Sequence, residues 1–286
     1  MMIKKIILGT VQFGLNYGIN NRYGKISKKE AFNILDYSYH NNIKILDTAE
    51  EYGNAQEIIG EYLKEKPNKF EINTKFKIED KSIHEQLERN LKLLNKDNIN
   101  VYFYHSFNDF LAYPNSGKEL LVLKAKGKIN KIGVSVYENR DFLKAIKDGA
   151  IDVIQFPFNL LDNLQHRNYF INKAKENNKE LQARSVFLQG LFFKDVNSLT
   201  ANIEPLKPYL LNIQKIASKN NIGMESLALS YVLKQEKINH VLLGIDSLQQ
   251  FKANLNAINE VISDKTLQEI NNVNVKDVEL LYPKNW

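Results

Sequence analysis

The chain has 286 residues, of which 43% are hydrophobic and 25% charged, so it can bury a full core as one large barrel or as two ordinary domains. It contains no cysteine, which excludes a disulfide framework, a cysteine-ligated zinc and a cysteine nucleophile, and which fits a reducing compartment. The net charge of +6 comes from lysines scattered among acidic residues, so we expect solvated helix faces and no nucleic-acid partner.

The N-terminal segment starts with lysines and continues with only three consecutive aliphatic residues, Ile6–Leu8. This run is too short for the apolar region of a signal peptide. No other stretch approaches the ~18 apolar residues that a membrane span needs. We therefore expect a soluble, cytoplasmic protein without a membrane partner.

Short apolar runs rich in β-branched residues alternate with longer segments of helical periodicity along the whole chain. The runs predicted to be strands are Lys5–Leu8, Lys44–Asp47, Phe70–Lys75, Asn100–His105, Lys131–Ser135, Val153–Phe156, Glu180–Arg184 and Val241–Gly244.

Helix signals lie between these strands. Ser27 begins a capping-box pattern, and Asn54 and Ser82 are candidate N-caps. Gly127 and Gly149 are candidate glycines just beyond helix C-termini. Further helical segments follow the sixth strand, fill the longer seventh crossover and come after the eighth strand.

Eight successive βα units predict an α/β fold, a parallel (β/α)8 TIM barrel, because right-handed crossovers return each strand beside its predecessor. The alternative is an open doubly wound sheet, which usually carries a GxGxxG fingerprint after its first strand. The corresponding turn here, Gly9–Gly14, reads GTVQFG and lacks that fingerprint. No repeat, low-complexity linker or change of composition divides the chain, so we predict a single domain over residues 1–286.

In such a barrel the chemistry lies at the C-terminal ends of the strands. The second predicted strand ends at Asp47, with Tyr52 five residues later, while the third ends at Lys75 and the fourth at His105. We therefore expect a carboxylate, a phenol, an ammonium and an imidazole to converge at one mouth of the barrel.

These four groups fit a proton-transfer site. The ammonium of Lys75 would lower the pKa of Tyr52 from its ordinary value near 10, while Asp47 would keep the lysine charged and in place. A neutral His105 would orient the substrate oxygen. Taken alone, each has an ordinary explanation: a helix cap or turn residue, a packed phenol, a solvated lysine, a core histidine. Their occurrence together at the ends of three consecutive strands favours catalysis.

The sequence resembles the aldo-keto reductase family. LGTVQFG resembles that family's first strand, and LDTAEEYGNAQEIIGEYL resembles its D-T-A-x-x-Y-G-x-x-E-x-x-x-G motif. The resemblance continues through KIGVSVY, VIQFPFNLL, ARSVFLQGL and VLLGIDSLQQFKANL. It implies an NAD(P)-dependent oxidoreductase acting on a carbonyl or alcohol. It also implies a catalytic tetrad of Asp47, Tyr52, Lys75 and His105, with Tyr52 as the general acid.

The resemblance also implies where the cofactor binds. Ser135 and Gln155 match the family's carboxamide-binding residues, Asp47 lies beneath the ribose, and Asn254 matches the residue at the adenine end. The loop after the eighth strand leads into a helix N-terminus suited to phosphate. The implied cofactor contacts are Gly9, Thr10, Asp47, Ser135, Gln155, Arg184, Gly244, Gln250 and Asn254. The expected cofactor is NADPH, with NADH as the alternative.

Several positions depart from the family pattern. The usual Asn after the fifth-strand serine is Val136, and the aromatic that stacks on the nicotinamide is replaced by Arg184, whose guanidinium plane can also stack. The Arg that often binds the 2′-phosphate of NADP is Gln250, with Lys252 as a candidate substitute. The hairpin that often closes the barrel bottom is also missing, because the first strand begins almost at the N-terminus.

The substrate pocket is expected to involve the loops Asn16–Ile26 and Phe107–Ser116, the residues around Asn159 and the C-terminal segment LLYPKNW. Candidates for an apolar wall are Tyr17, Tyr23, Phe107, Tyr113 and Trp286. Candidates to meet a substrate phosphate are Arg22, Arg140, Arg167 and Arg184. The ending resembles reductases of bacterial surface-sugar pathways, so a sugar or sugar-nucleotide carbonyl is preferred to a small aldehyde.

Two other functions compete with this one. A nicotinamide-binding regulatory protein on the same barrel would have little turnover; Val136 favours it and the complete tetrad opposes it. A metal-dependent hydrolase or isomerase would need paired ligands at strand ends, whereas His40, His84, His166 and His240 lie in predicted helices or loops. We therefore predict no metal site, and a monomer or a loose dimer.

Overall fold

The computed structural model describes residues 2–21, 23–66, 68–77, 82–113 and 116–286. Within them, eight strands form one closed parallel barrel in which each strand pairs with its successor. The strands are β1 (Ile6–Gly9), β2 (Ile45–Asp47), β3 (Glu71–Phe76), β4 (Ile99–Tyr104), β5 (Ile129–Ser135), β6 (Val153–Pro157), β7 (Glu180–Arg184) and β8 (His240–Leu243). The predicted (β/α)8 TIM barrel is confirmed, and every strand lies within two residues of its predicted bounds.

Helices surround the barrel and connect its strands. The α-helices of the described residues are α1 (Val11–Gly14), α2 (Lys28–His40), α3 (Ala55–Glu65), α4 (Ile83–Leu94), α5 (Phe107–Ala112), α6 (Ser116–Ala125), α7 (Asn139–Lys147), α8 (Leu164–Glu176), α9 (Lys207–Lys219), α10 (Met224–Leu233), α11 (Leu248–Ala257) and α12 (Asp264–Asn271). Short 3₁₀ helices occur at Met2–Lys5, Leu188–Phe193, Glu204–Leu206, Val278–Leu281 and Pro283–Asn285. None of the described helices is both long and apolar enough to cross a membrane.

The predicted helix caps are only partly correct. Ser82 forms a full capping box, and the Ser27 hydroxyl accepts from the third backbone N–H of α2, although the reciprocal contact of a box is missing there. The Asn54 side chain caps no amide and instead accepts a hydrogen bond from a lysine. Gly127 has a φ of +70° and ends its helix as predicted, whereas Gly149 is not in the left-handed region.

Alternation along β4 separates the two parts of the core. Tyr102 and Tyr104 face the helices and belong to the large core cluster, while Val101 and Phe103 face the barrel interior. Gly133 lies opposite Phe103 on β5, and a Cβ there would come within 2.3 Å of the Phe103 ring. The glycine therefore leaves the space that this ring needs to fill the barrel centre.

The barrel closes between β1 and β8, which come from opposite ends of the chain. Ile6 lies opposite Val241 in the parallel register. Next to this pairing, the Gln12 amide donates to the Asp246 carboxylate at 3.2 Å. Ahead of β1, Met2–Lys5 forms a 3₁₀ turn.

Candidate active site

A cavity of about 620 Å³ opens at the C-terminal end of the barrel, which is a size typical of small-molecule sites. Each strand contributes a residue at or within two positions of its C-terminal end to the wall. These residues are Gly9, Asp47, Lys75, His105, Ser135, Gln155, Arg184 and Leu243. All twelve residues that the sequence assigned to catalysis or cofactor binding line this one cavity.

A buried ion pair lies at the bottom of the cavity. Asp47 and Lys75 are both almost completely buried, and the Lys75 ammonium contacts the Asp47 carboxylate. The Gln155 amide donates to the other carboxylate oxygen at 2.9 Å, and Lys75 also donates to the Thr48 carbonyl at 3.3 Å. Burial lowers the pKa of Lys75, and the charge of Asp47 opposes that change. Groups from β2, β3 and β6 thus hold the ammonium in one position.

Tyr52 lies on the loop between β2 and α3, where close backbone packing fixes it. A Cβ on Gly14 would come within 1.7 Å of the Tyr52 carbonyl oxygen, so only glycine at position 14 allows this approach. Gly53 follows with a φ of +55°, which turns the chain into α3. The Tyr52 hydroxyl lies 3.5 Å from the Lys75 ammonium, which donates to it. The phenol is therefore positioned directly above the ion pair.

The pKa of Tyr52 shifts in the direction opposite to that expected from the sequence. Burial raises it well above the ordinary value of 10, the negative charge of Asp47 raises it further, and Arg184 only partly opposes these effects. The expectation of a lowered value was wrong because burial, which disfavours the charged phenolate, is the largest effect on this pKa and outweighs the nearby positive charge. At neutral pH the hydroxyl therefore keeps its proton.

His105 follows β4, and its backbone N–H donates to the Phe76 carbonyl at 2.9 Å. Its ring meets the Tyr52 ring edge to face, with the centroids 6.0 Å apart. Burial and the nearby charge of Lys75 lower its pKa to about 4, against the pull of Glu51, whose carboxylate lies 3.4 Å from Nδ1. The imidazole is therefore neutral at physiological pH.

Several residues in the cavity wall carry buried polar atoms that have no hydrogen-bond partner among the described residues. These atoms are Gln12 Oε1, His105 Nδ1, Gln155 Oε1, Arg184 Nε and Asn254 Nδ2. A buried polar atom left unpaired costs roughly 1–3 kcal/mol, so such atoms usually have a ligand or water as partner. Amide groups at both ends of the cavity thus remain available to a bound molecule.

Comparison with known proteins identifies the family. The family model described as the aldo/keto reductase family matches residues 5–275. The chain belongs to this family. The predicted membership and the predicted activity class, a nicotinamide-dependent oxidoreductase, are both confirmed.

Relatives of this aldo/keto reductase are distant in sequence. It is 25% identical to an aryl-alcohol dehydrogenase of Pestalotiopsis microspora, over 86% of this chain and 73% of that protein. It is 24% identical to an NADH-specific methylglyoxal reductase of Escherichia coli strain K12, over 92% of this chain and 95% of that protein. A holo aldo-keto reductase of Bacillus halodurans has the same fold, with a TM-score of 0.74, 20% identity and coverage of 95% of this chain and 92% of that one.

The helix N-terminus predicted to bind phosphate is already occupied in this aldo/keto reductase. The Leu248 N–H at the start of α11 donates to the Glu30 carboxylate at 2.9 Å, and the Ser247 hydroxyl accepts from the Gln250 N–H. The Gln250 side chain accepts from the Asp246 N–H at 2.6 Å. Side chains, one of them acidic, thus take the positions that an incoming phosphate would need. The suggestion of a phosphate site at this helix is not supported.

The predicted substrate wall is only partly present in the cavity. Of the aromatic candidates, Tyr17 and Tyr23 line it, whereas Phe107, Tyr113 and Trp286 do not. Phe107 packs against Phe110 within the core, which explains its burial. The C-terminal segment reaches the site indirectly, through the Tyr137 ring, which meets the Tyr282 ring edge to face and has the Lys284 ammonium 5.9 Å from its centroid.

Of the polar candidates for the substrate pocket, Arg184 lines the cavity, whereas Asn159, Arg140 and Arg167 do not. The Asn159 side chain is buried and accepts from two backbone amides of its own turn. Arg140 is exposed and paired with a carboxylate, and Arg167 is buried in an ion pair, so neither lines the cavity. Arg22 lies outside the described residues. Lys252, suggested as a phosphate ligand, is exposed and lies over the ring of a tyrosine outside the wall.

Part of the wall was missed by the sequence reasoning. The missed residues include Gln12, Tyr137, Val186, Phe187, Gln189, Gly190, Phe193 and Glu225. Most of them follow the ends of β5 and β7, the same signal that located the tetrad.

Gln56 stands at the glutamate position of the D-T-A motif and donates to the Thr74 hydroxyl at 2.8 Å, away from the cavity. Within the described part of the chain, no group of three or more His, Cys, Asp or Glu could hold a metal ion.

Proposed function

We propose that this aldo/keto reductase reduces the carbonyl group of a small molecule to an alcohol, or catalyses the reverse, with Tyr52 as the acid–base group. The observation that carries the proposal is the Tyr52 hydroxyl, held 3.5 Å from the buried Lys75 ammonium at the wall of the cavity. The proposal treats residues 1–286 as one barrel domain.

Each member of the tetrad has a separate task in this proposal. The Tyr52 hydroxyl donates its proton to the substrate oxygen, and the Lys75 ammonium stabilises the phenolate that remains. Asp47 keeps that ammonium charged and in position. Neutral His105 donates a hydrogen bond to the substrate oxygen and orients it. A nicotinamide cofactor, when bound, supplies the hydride to the carbonyl carbon or accepts it in the reverse reaction.

The electrostatics of the site favour reduction at neutral pH. Burial and Asp47 keep the Tyr52 hydroxyl protonated, which is the state that a carbonyl reduction needs. Alcohol oxidation needs the phenolate, which the raised pKa makes scarce. We therefore expect carbonyl reduction to be the faster direction when cofactor and substrate are supplied at equal concentrations.

The residues present fit a nicotinamide dinucleotide. The unpartnered amide atoms of Gln155 and Asn254 lie in the wall of one cavity and offer hydrogen bonds to the carboxamide and adenine ends. Gly9, Thr10, Ser135, Arg184, Gly244 and Gln250 complete the proposed cofactor wall, with Asp47 below the ribose.

We propose NADH as the preferred cofactor, in place of the NADPH that the resemblance implies. Asp246 lines the cavity beside Gln250, and the neighbouring α11 N-terminus is taken by Glu30. A carboxylate suits the ribose 2′-hydroxyl of NADH and repels the 2′-phosphate of NADPH. An E. coli relative named as NADH-specific agrees with this preference.

A cofactor titration followed by a turnover assay tests the proposal. The purified protein is titrated with NADH and with NADPH while the fluorescence of the reduced nicotinamide is recorded. The complex is then assayed on a panel of aldehydes, ketones and keto-sugars, including sugar nucleotides. We expect micromolar binding of NADH, weaker binding of NADPH and turnover of at least one carbonyl. Absence of binding would refute the cofactor site, whereas tight binding without turnover would favour a regulatory protein on the same barrel.

Sequence-based expectations of a cytoplasmic location and of a monomer or loose dimer stay predictions. A sugar or sugar-nucleotide keto group is the first substrate class to test, because the ending resembles that of surface-sugar reductases. Gel filtration of the purified chain measures the oligomeric state directly.

A further inference from the structure

Arg184 is a cation in the cavity wall that has no described carboxylate within ion-pairing distance. Its guanidinium stacks on the Tyr137 ring, 4.0 Å from the centroid. It donates to the Ser185 hydroxyl at 3.3 Å and to the Val136 carbonyl at 3.4 Å, both long contacts to neutral groups. Its Nε is buried, and no described residue hydrogen-bonds to it. A charged donor therefore remains largely unused at the edge of the cavity.

The charges around the tetrad leave the positive charge of Arg184 uncompensated. Asp47 and Lys75 neutralise each other, and His105 is neutral. In the part of the chain that the structure describes, two further carboxylates line the cavity, those of Asp246 and Glu225, and neither pairs with Arg184. Arg184 is partly buried, and cations removed from water are normally paired, so an anion is the group that this part of the wall lacks.

The platform under Arg184 is rigid. The Tyr137 carbonyl accepts from the buried Arg167 guanidinium at 2.7 Å. Arg167 is in turn held by both carboxylate oxygens of Asp162, and it donates to Asn139. A guanidinium that is fixed before binding loses less entropy when it forms its hydrogen bonds. This arrangement suits recognition of an anion at a defined position.

A second donor faces the same part of the cavity. The Tyr17 hydroxyl accepts from the Gln189 amide at 3.1 Å, which leaves its own O–H free to donate. Burial raises the pKa of Tyr17, so it keeps that proton. A guanidinium and a phenol together form a donor pair that fits the oxygens of a carboxylate or phosphate.

We propose that the substrate of this enzyme carries an anionic group, a carboxylate or a phosphate, and that Arg184 binds it. This inference rests on the proposed carbonyl reduction. The charge of Arg184 acts on Tyr52 and Lys75, which indicates that the anionic group lies close to the reacting carbonyl. The other source of such an anion is the pyrophosphate of the cofactor, which the experiment distinguishes.

Matched substrate pairs test the proposal. Glyceraldehyde is compared with glyceraldehyde 3-phosphate, and butyraldehyde with succinic semialdehyde, in the wild type and in Arg184→Gln. We expect the wild type to prefer the anionic member of at least one pair. Arg184→Gln should lower kcat/KM for that member, mainly through KM, roughly 10- to 100-fold more than it lowers kcat/KM for the neutral counterpart. Arg140→Gln makes the same charge change outside the cavity and should alter none of these values.

The other outcomes separate this inference from the proposed function. Equal kcat/KM for anionic and neutral members in the wild type would overturn it. A weaker Kd for NADH in Arg184→Gln, with both members affected alike, would assign the residue to the cofactor pyrophosphate and also overturn it. If no carbonyl is turned over, calorimetry with glycerol 3-phosphate and glycerol still decides. Wild-type binding of the phosphate that Arg184→Gln loses supports the anion site, and no such difference refutes it.

Discussion

Replacing Tyr52 with phenylalanine removes one oxygen atom from the proposed site and little else. The hydroxyl has one protein partner among the described contacts, the Lys75 ammonium at 3.5 Å, and the ring keeps its contact with His105. Loss of so long a hydrogen bond should change the free energy of unfolding by less than about 1 kcal/mol. A positioned general acid contributes about 10²- to 10⁴-fold to rate, or roughly 3–5 kcal/mol of the activation barrier. We therefore expect kcat to fall by that factor while the Kd of NADH stays within about twofold.

A second tyrosine provides the matched control. The Tyr231 hydroxyl accepts from the Leu164 N–H at 3.0 Å and donates to Asn271 at 2.6 Å, outside the cavity. Tyr231→Phe should lower the free energy of unfolding by about 1–3 kcal/mol and leave kcat unchanged, the reverse of the Tyr52 variant. Steady-state kinetics at saturating NADH and urea unfolding measure both quantities. A Tyr52→Phe enzyme with near-parental kcat would refute the assignment of the acid.

Three further predictions concern cofactor choice, pH and packing. Asp246→Asn should tighten NADPH binding roughly 5- to 10-fold, because it removes a charge that repels the 2′-phosphate. The control Asp97→Asn lies on the exposed loop before β4 and should not change NADPH binding. Equal effects of the two substitutions in nucleotide titrations would contradict the NADH preference. The rate of carbonyl reduction should be independent of pH between about 5 and about 9. The lower limit lies above the pKa of His105, at about 4, and the upper limit lies below the raised pKa of the catalytic tyrosine. An inflection of kcat/KM near pH 6.5 would count against a neutral imidazole. Gly14→Ala should lower kcat at least tenfold and lower the free energy of unfolding by about 1–3 kcal/mol, because its Cβ would overlap the Tyr52 backbone. In the control Gly117→Ala, the new Cβ would lie 3.8 Å from its nearest neighbour, so neither quantity should change.

The features predicted correctly are those that local sequence patterns determine. The alternation of apolar runs with helical segments fixes the number and order of strands, and parallel strands place their C-terminal ends together. Asp47 and Tyr52 lie five residues apart, so one loop carries both. Lys75 and His105 end the next two predicted strands, so the convergence of all four follows from the barrel itself.

The features predicted wrongly depend on contacts between distant parts of the chain. Glu30 reaches the start of α11 across 218 positions, and nothing near Leu248 in the sequence indicates that its amide is taken. The raised pKa of Tyr52 follows from burial by several loops, which outweighs the single charge that local reasoning considered. Phe107 was assigned to a loop, but it begins α5 and turns into the core.

The pairing of β1 with β8 gives the cavity a mechanical role in the fold. Gly9, Thr10 and Gln12 from the first βα unit, and Gly244 and Asp246 from the last, form one side of the binding wall. Any fluctuation that separates these two strands divides that wall, so a bound ligand and a closed barrel belong to the same equilibrium. A ligand at 100 times its Kd would add about 2.7 kcal/mol to the closed form. A ligand bound in this wall would therefore make separation of the first and last βα units rarer.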